Sequence, residues 1–207
     1  IGVEEVENLT TLQALASKIN SDAVAAFQPN PNYLAYLIEG NDVGGIDVGF
    51  LVKTSSVNVI DVTQAGKDST YINPLTGLPE LLNDRPPLIL RATVQLSLGS
   101  VYPITVIANH LRSLTDIDDA VDGPRVRAKR RAQAEFLARL IQSRQTADAD
   151  EHIIAIGDFN AFQFNDGYVD VIGTINGNPV RSDTVVLASN DLVTPDLTDL
   201  VDLVPSD

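Results

Sequence analysis

Three short stretches place groups capable of proton transfer or ligand binding where an apolar run stops. "IIAIGDFNA" (153–161) drives four apolar residues into Gly157, then sets a carboxylate, Asp158, two residues before a carboxamide, Asn160. "ITVIANH" ends on Asn109 and His110, and "IGVEE" ends on Glu4 and Glu5. In α/β sheets, ligands gather at the carboxyl ends of strands. Taken singly, a strand-end carboxylate is ordinarily a turn or capping residue, and a strand-end histidine is ordinarily a hydrogen-bonded structural one. Three ends repeating one pattern are harder to dismiss. In an extended segment Asp158 and Asn160 would share a face. One could then accept a proton while the other donates a hydrogen bond to an anion.

The rest of the chain bounds what those groups can do. Its 207 residues suffice for one good core and are few for two, so a single domain over 1–207 is expected. The absence of cysteine removes disulfides, thiolate zinc sites and cysteine nucleophiles. No apolar run approaches the roughly 18 residues that span a bilayer. A net charge of −14 counts against tight nonspecific binding to nucleic acid. It leaves room for a metal-dependent enzyme acting on phosphates, because a bound cation inverts the local field. Seven of the fourteen Lys and Arg residues lie between Arg125 and Arg144. That patch could meet a nucleic-acid backbone, but the favoured reading is a solvated helix face.

The positioning elements follow from periodicity. Residues 8–20 read as a helix capped by Asn8, with Leu12, Leu15, Ala16 and Ile19 on one stripe. Strands are expected over 33–40, 44–53, 57–62, 87–96, 101–110 and 152–157, with a hairpin turn at Ser97-Leu98-Gly99-Ser100. Residues 63–86 read as a long loop and 113–124 as an acidic one. Pro124 opens a second helix with an apolar face of Val126, Ala134, Leu137, Leu140 and Ile141, and 165–173 reads as a short third helix. Adjacent strands mixed with few helices point to an α/β sandwich with a largely antiparallel or mixed sheet.

"GVEEVEN", "NDRPPL", "ANHLRS" and "IGDFNA" occur in the order and spacing of the endonuclease/exonuclease/phosphatase superfamily, which this chain resembles over nearly its whole length. The likeness is greatest to the bacterial, often secreted, nuclease-like branch. The resemblance implies a four-layer α/β sandwich, incomplete at both termini. A strand bearing an asparagine would precede Ile1 and a Ser-Asp-His motif would follow Asp207, so the 207 residues alone are expected to be inactive while the parent is active.

The resemblance also implies roles. Glu5 matches the acidic metal ligand and Asp158 the aspartate that orients or deprotonates the attacking water, with Asp158 also a metal ligand. Asn160 matches the amide that holds the phosphate, His110 the histidine that contacts it and protonates the leaving oxygen, and Arg85 a loop arginine supporting the site. Asp47 falls where the family often carries an acid, Glu4 and Glu7 are expected to be solvated, and His152 to be exposed. The implied cofactor is Mg²⁺, Mn²⁺ or Ca²⁺. The implied substrate is a phosphodiester, first of all DNA or RNA, in a secreted or cell-surface setting. A phosphatase or phospholipase acting on a small or lipid phosphate is the alternative, and a catalytically inactive binding module the third reading. The chemistry is consistent: hydrolysing a phosphodiester needs a cation on its oxygens, a positioned water and a donor to the leaving group.

Overall fold

The computed structural model describes residues 1–96 and 99–204. In chain order its elements are β1 (Gly2–Val6), α1 (Leu9–Ala25), β2 (Tyr33–Leu37), β3 (Asp47–Lys53), β4 (Val57–Gln64), β5 (Thr70–Ile72), β6 (Pro79–Leu81), β7 (Leu88–Gln95), β8 (Val101–His110), α2 (Gly123–Ala147), β9 (Ile153–Asp158) and α3 (Val171–Asn176). A 3₁₀ turn, Leu200–Leu203, lies in the tail. No described helix is long and apolar enough to cross a membrane. The chain divides into two compact units, each drawn from separate stretches.

The first unit comprises Ile1–Asp68, Asn83–His110 and Glu151–Asp158. It is a sandwich of two sheets, ordered β1-β3-β2 and β4-β7-β8-β9. All pairings are antiparallel except β8 with β9, which run parallel, so the expected mixed sheet is present. Period-two alternation along β3 explains the layering. Val48, Phe50 and Val52 face Leu88, Leu90, Ala92 and Ala108 between the sheets. Leu51 turns the other way and packs with Leu37 against Leu12 and Ala16 of α1. Each fully buried aliphatic or aromatic side chain of this kind contributes roughly 1.5–3 kcal/mol. Helix α1 starts where expected, because the Asn8 side chain accepts a hydrogen bond from the Thr11 amide at 2.8 Å. It runs to Ala25, longer than expected. Leu15 departs from the stripe: it flanks the line through Leu12 and Ala16 and is exposed. Helix and two sheets give three layers within this unit.

The second unit comprises Ser69–Leu82, Leu111–Asp150 and Phe159–Asp207. Its long helix α2 has Pro124 in the first turn. Val126, Ala134, Leu137 and Ile141 are fully buried, while Leu140 is only half-buried. The basic stretch is not the solvated face expected. Lys129, Arg130 and Gln133 are buried as well. Arg130 donates to the Arg112 carbonyl at 2.6 Å and to Asp166 at 3.1 Å. Gln133 donates to the Leu82 carbonyl at 2.9 Å and accepts from the Arg112 amide at 2.8 Å. Farther along, Glu135 takes both Arg131, at 3.0 Å, and Arg139, at 2.9 Å. Arg130 and Gln133 are tolerated on the buried face of the helix because backbone groups and a carboxylate there satisfy them.

Two local expectations are corrected. The loop 63–86 contains the β5–β6 hairpin, whose three-residue strands are too short to show a period. The helix expected at 165–173 begins only at Val171, where Asp170 caps it by accepting from the Gly173 amide at 3.1 Å. Asn165 and Asp166 instead accept backbone amides two residues on, making turns. Ser97 and Leu98 of the expected hairpin turn, and the closing Pro205-Ser206-Asp207, lie outside the described residues.

Candidate active site

The parallel pairing of β8 with β9 sets Asn109 opposite Gly157 and His110 opposite Asp158, so two of the three strand ends meet. Asn109 ties them together: its fully buried Nδ2 donates to the carbonyls of Ile107, at 2.9 Å, and Ile156, at 3.2 Å. His110 is only 6% exposed, whereas the Asp158 side chain is 49% exposed. His110 Nε2 lies 3.9 Å from Asp158 Oδ2. His110 Nδ1 has no hydrogen-bond partner among the described residues.

Arg85 supports this pair from behind. Its Nε donates to the His110 backbone carbonyl at 3.3 Å, and its Nη1 meets Asp42 at 2.9 Å. Burial holds the His110 imidazole below its ordinary pKa, and the Arg85 charge pushes the same way. Asp158, Glu5 and Asp42 oppose them in part. The lowered pKa biases His110 toward the neutral imidazole, which suits it to hydrogen bonding.

The third strand end belongs to the same unit. Strand β1 pairs with β3 with an irregularity between Val3 and Val6, and Glu5 sits there with φ of 56°. The bulge breaks the period of two. As a result Glu5 is exposed, and Glu4, expected to be solvated, is half-buried. The Glu4 carboxylate accepts a hydrogen bond from the Asp158 backbone amide. Burial pushes its pKa up, that amide opposes the shift, and the charges of Asp158 and Glu5 add to it. Sequence reasoning missed Glu4 because alternation cannot assign both members of a Glu-Glu pair at a bulge. Glu7 and His152 are exposed as expected.

Asn160 follows a different course from the one expected. The strand stops at Asp158, and Asn160 adopts φ of 48°, a left-handed conformation that asparagine tolerates. The two residues therefore do not share the face of an extended segment. Asn160 lies in the second unit, where its Nδ2 donates to the Leu111 carbonyl at 3.0 Å. Asp47 serves a loop: nearly buried, it accepts the Gly40 amide at 2.8 Å and shares a hydrogen bond with Glu39.

No three His, Asp or Glu side chains form a metal cage among the described residues. A hard cation such as Mg²⁺ does not need one, since it commonly takes one or two carboxylates and completes its shell with water and substrate oxygens. Glu4, Glu5 and Asp158 supply oxygen donors and crowd their negative charges together. Glu5 and Asp158, the two carboxylates the resemblance implies as ligands, are of the hard oxygen type such an ion takes, while Glu4 is engaged by the Asp158 amide.

No protein-family model and no curated protein matches the chain. Solved structures do. The chain is similar to the human nocturnin catalytic domain with bound sulfate, at 16% identity and a TM-score of 0.43, covering 79% of this chain and 52% of that one. It is similar to ANGEL2, a 2′,3′-cyclic phosphatase, in complex with adenosine-2′,3′-vanadate, at 15% identity and a TM-score of 0.47, covering 87% and 44%. A second ANGEL2 structure matches at 13% identity and a TM-score of 0.45, covering 95% and 47%. The chain thus spans about half the length of the solved structures it matches.

Proposed function

We propose that the protein is a divalent-metal-dependent phosphoester hydrolase of the endonuclease/exonuclease/phosphatase type, acting first of all as a nuclease on DNA or RNA. The observation that carries this reading is the pairing of His110 with Asp158 at the ends of parallel strands, backed by Arg85 and flanked by the Glu4-Glu5 bulge. Glu5 and Asp158 would hold Mg²⁺, Mn²⁺ or Ca²⁺, which supplies charge neutralisation on the phosphate oxygens when bound. Asp158, half-exposed, orients the attacking water and takes its proton. Glu4 fixes the backbone beneath Asp158. His110, nearly buried, holds a phosphate oxygen through a ring N–H and is the candidate donor to the leaving oxygen. By the sequence resemblance alone Asn160 takes a second phosphate contact, and Arg85 is a positioning residue that fixes the His110 main chain. A secreted or cell-surface setting belongs to the same reading through the sequence resemblance.

One observation favours the alternative of a compact phosphoester, such as a small or lipid phosphate: the chain carries a net charge of −14, and Arg130, Arg131 and Arg139 of the basic helix are engaged by carboxylates. Incubating the full-length protein with plasmid DNA, RNA and small phosphoesters, with Mg²⁺ or with a chelator, separates the two. Cleavage that needs metal and is lost in Asp158→Asn is expected. Absence of metal-dependent hydrolysis across the whole panel would remove the reading.

A further inference from the structure

The loop that follows Asn160 carries two phenylalanines that are largely open to solvent. Phe162 is 52% exposed and Phe164 is 65% exposed. Their rings lie parallel, 4° apart in plane, with centroids at 5.2 Å. Two exposed aromatic rings on a free loop would gain little from being held this way. This loop is anchored at both ends. Upstream, Asn160 is bonded to the Leu111 carbonyl. Downstream, Asp166 accepts the amides of Tyr168 and Val169, each at 2.8 Å, and meets the buried Arg130 at 3.1 Å. Beside it, the Asn165 side chain donates to the carbonyls of Ser182 and Asp183 at 3.3 Å. The rings are thus presented by a segment whose flanks are fixed, which lowers the entropy lost when a ligand stacks on them.

We propose that Phe162 and Phe164 form a base-stacking platform that recognises a nucleobase of a single-stranded nucleic acid. The proposal deepens the hydrolase reading and, as a substrate assignment, rests on it: the phosphoester cleaved is one joined to a nucleobase. Three considerations select this occupant. A parallel ring pair is extended by another planar π-system, and base–aromatic stacking tolerates any base because each has a π-face. Phe162 lies two residues from Asn160, hence within about 7 Å along the chain of the residue assigned to a phosphate. Finally, an acidic protein gains little from phosphate charge, so its affinity for nucleic acid has to come from base faces. A phospholipid surface fits less well, since residues 161–167 include Asp166 and no Lys or Arg to meet a headgroup.

The test is fluorescence anisotropy of labelled 12-nucleotide adenylate and thymidylate oligomers with the full-length protein in EDTA. No hydrolysis is required, so a failure of the hydrolase reading leaves this result intact. Stacking on aromatic side chains is worth enough that Phe162→Ala/Phe164→Ala should weaken binding about tenfold or more. Phe162→Tyr/Phe164→Tyr should retain it, an abasic oligomer should bind weakly to all three proteins, and affinity should fall only shallowly with salt. Circular dichroism and thermal melting check that the variants fold. The proposal is overturned if the native protein binds no oligomer, if the double alanine variant binds as well as the native protein, or if the abasic oligomer binds equally well. It is also overturned if phosphatidylcholine–sphingomyelin vesicles capture the native protein but not the double alanine variant.

Discussion

Asn109 and Gly157 face each other across the parallel β8–β9 pair, so closely that a β-carbon added at Gly157 would overlap the Asn109 backbone carbonyl. Gly157 also has φ of 129°, a conformation open to glycine and strained for any other residue. The contact fixes how β9 delivers Asp158 beside His110. Gly157→Ala has to move one strand off the other or force the left-handed backbone on an alanine. We expect a loss of roughly 3 kcal/mol or more in urea denaturation. A variant as stable as the native protein would show that the strands do not approach as described.

Arg85 reaches the site through the main chain of His110, and its guanidinium lowers the imidazole pKa as the second cause after burial. Arg85→Gln should therefore raise the His110 pKa. With only two histidines in the chain, an NMR titration of the imidazole resonances reads His110 directly. The same change leaves the largely buried Asp42 without its cation and should cost roughly 2–3 kcal/mol of stability. An unchanged His110 titration would dissociate Arg85 from the site.

These two residues show what the sequence could and could not reveal. Gly157 and Asp158 were legible because an apolar strand ran straight into them, and the pairing of their strand with the one ending on His110 follows the α/β pattern. The α1 cap at Asn8 was legible for the same local reason. Glu4 was not, because the bulge at Glu5 resets which side chains point inward. Nor was the turn after Asp158, which takes Asn160 out of the strand. The burial of Lys129 and Arg130 was equally hidden: the groups that satisfy Arg130, the Arg112 carbonyl and Asp166, lie far away in sequence. Local period reads out faces. It does not read out long-range partners for polar groups.

Asp158 and His110 should separate in their kinetic effects. Asp158→Asn keeps the shape and removes the proton acceptor, so the hydrolysis rate of the full-length protein should fall at least a hundredfold, as expected for loss of a positioned base. Its side chain is half-exposed, so thermal stability should change by less than about 1 kcal/mol. His110→Asn keeps a hydrogen-bond donor on a nearly buried group and should lose less rate but more stability, with an empty volume left beside Arg85. Equal losses of rate and stability in both variants would mean that neither role is assigned correctly.

Asp47 gives a prediction whose sign follows from linkage. Its carboxyl is pushed up from an ordinary 3.8 to about 6, first by burial, with Glu39 and Asp42 adding to the shift and the Gly40 amide opposing it. Between those two pH values the folded chain holds a proton that the unfolded chain has released. Its contribution to stability is therefore full below pH 3.8 and is lost as pH rises through about 6. Asp47→Asn can still accept the Gly40 amide through Oδ1 and can donate to Glu39 through Nδ2, without any charge to bury. The variant should be more stable than the native protein at pH 7.5, by roughly 1–2 kcal/mol. That advantage should shrink steadily on acidification and vanish near pH 3.5. Paired urea titrations across that range measure it, and a difference that does not vary with pH would show that Asp47 is ionised normally in the folded protein.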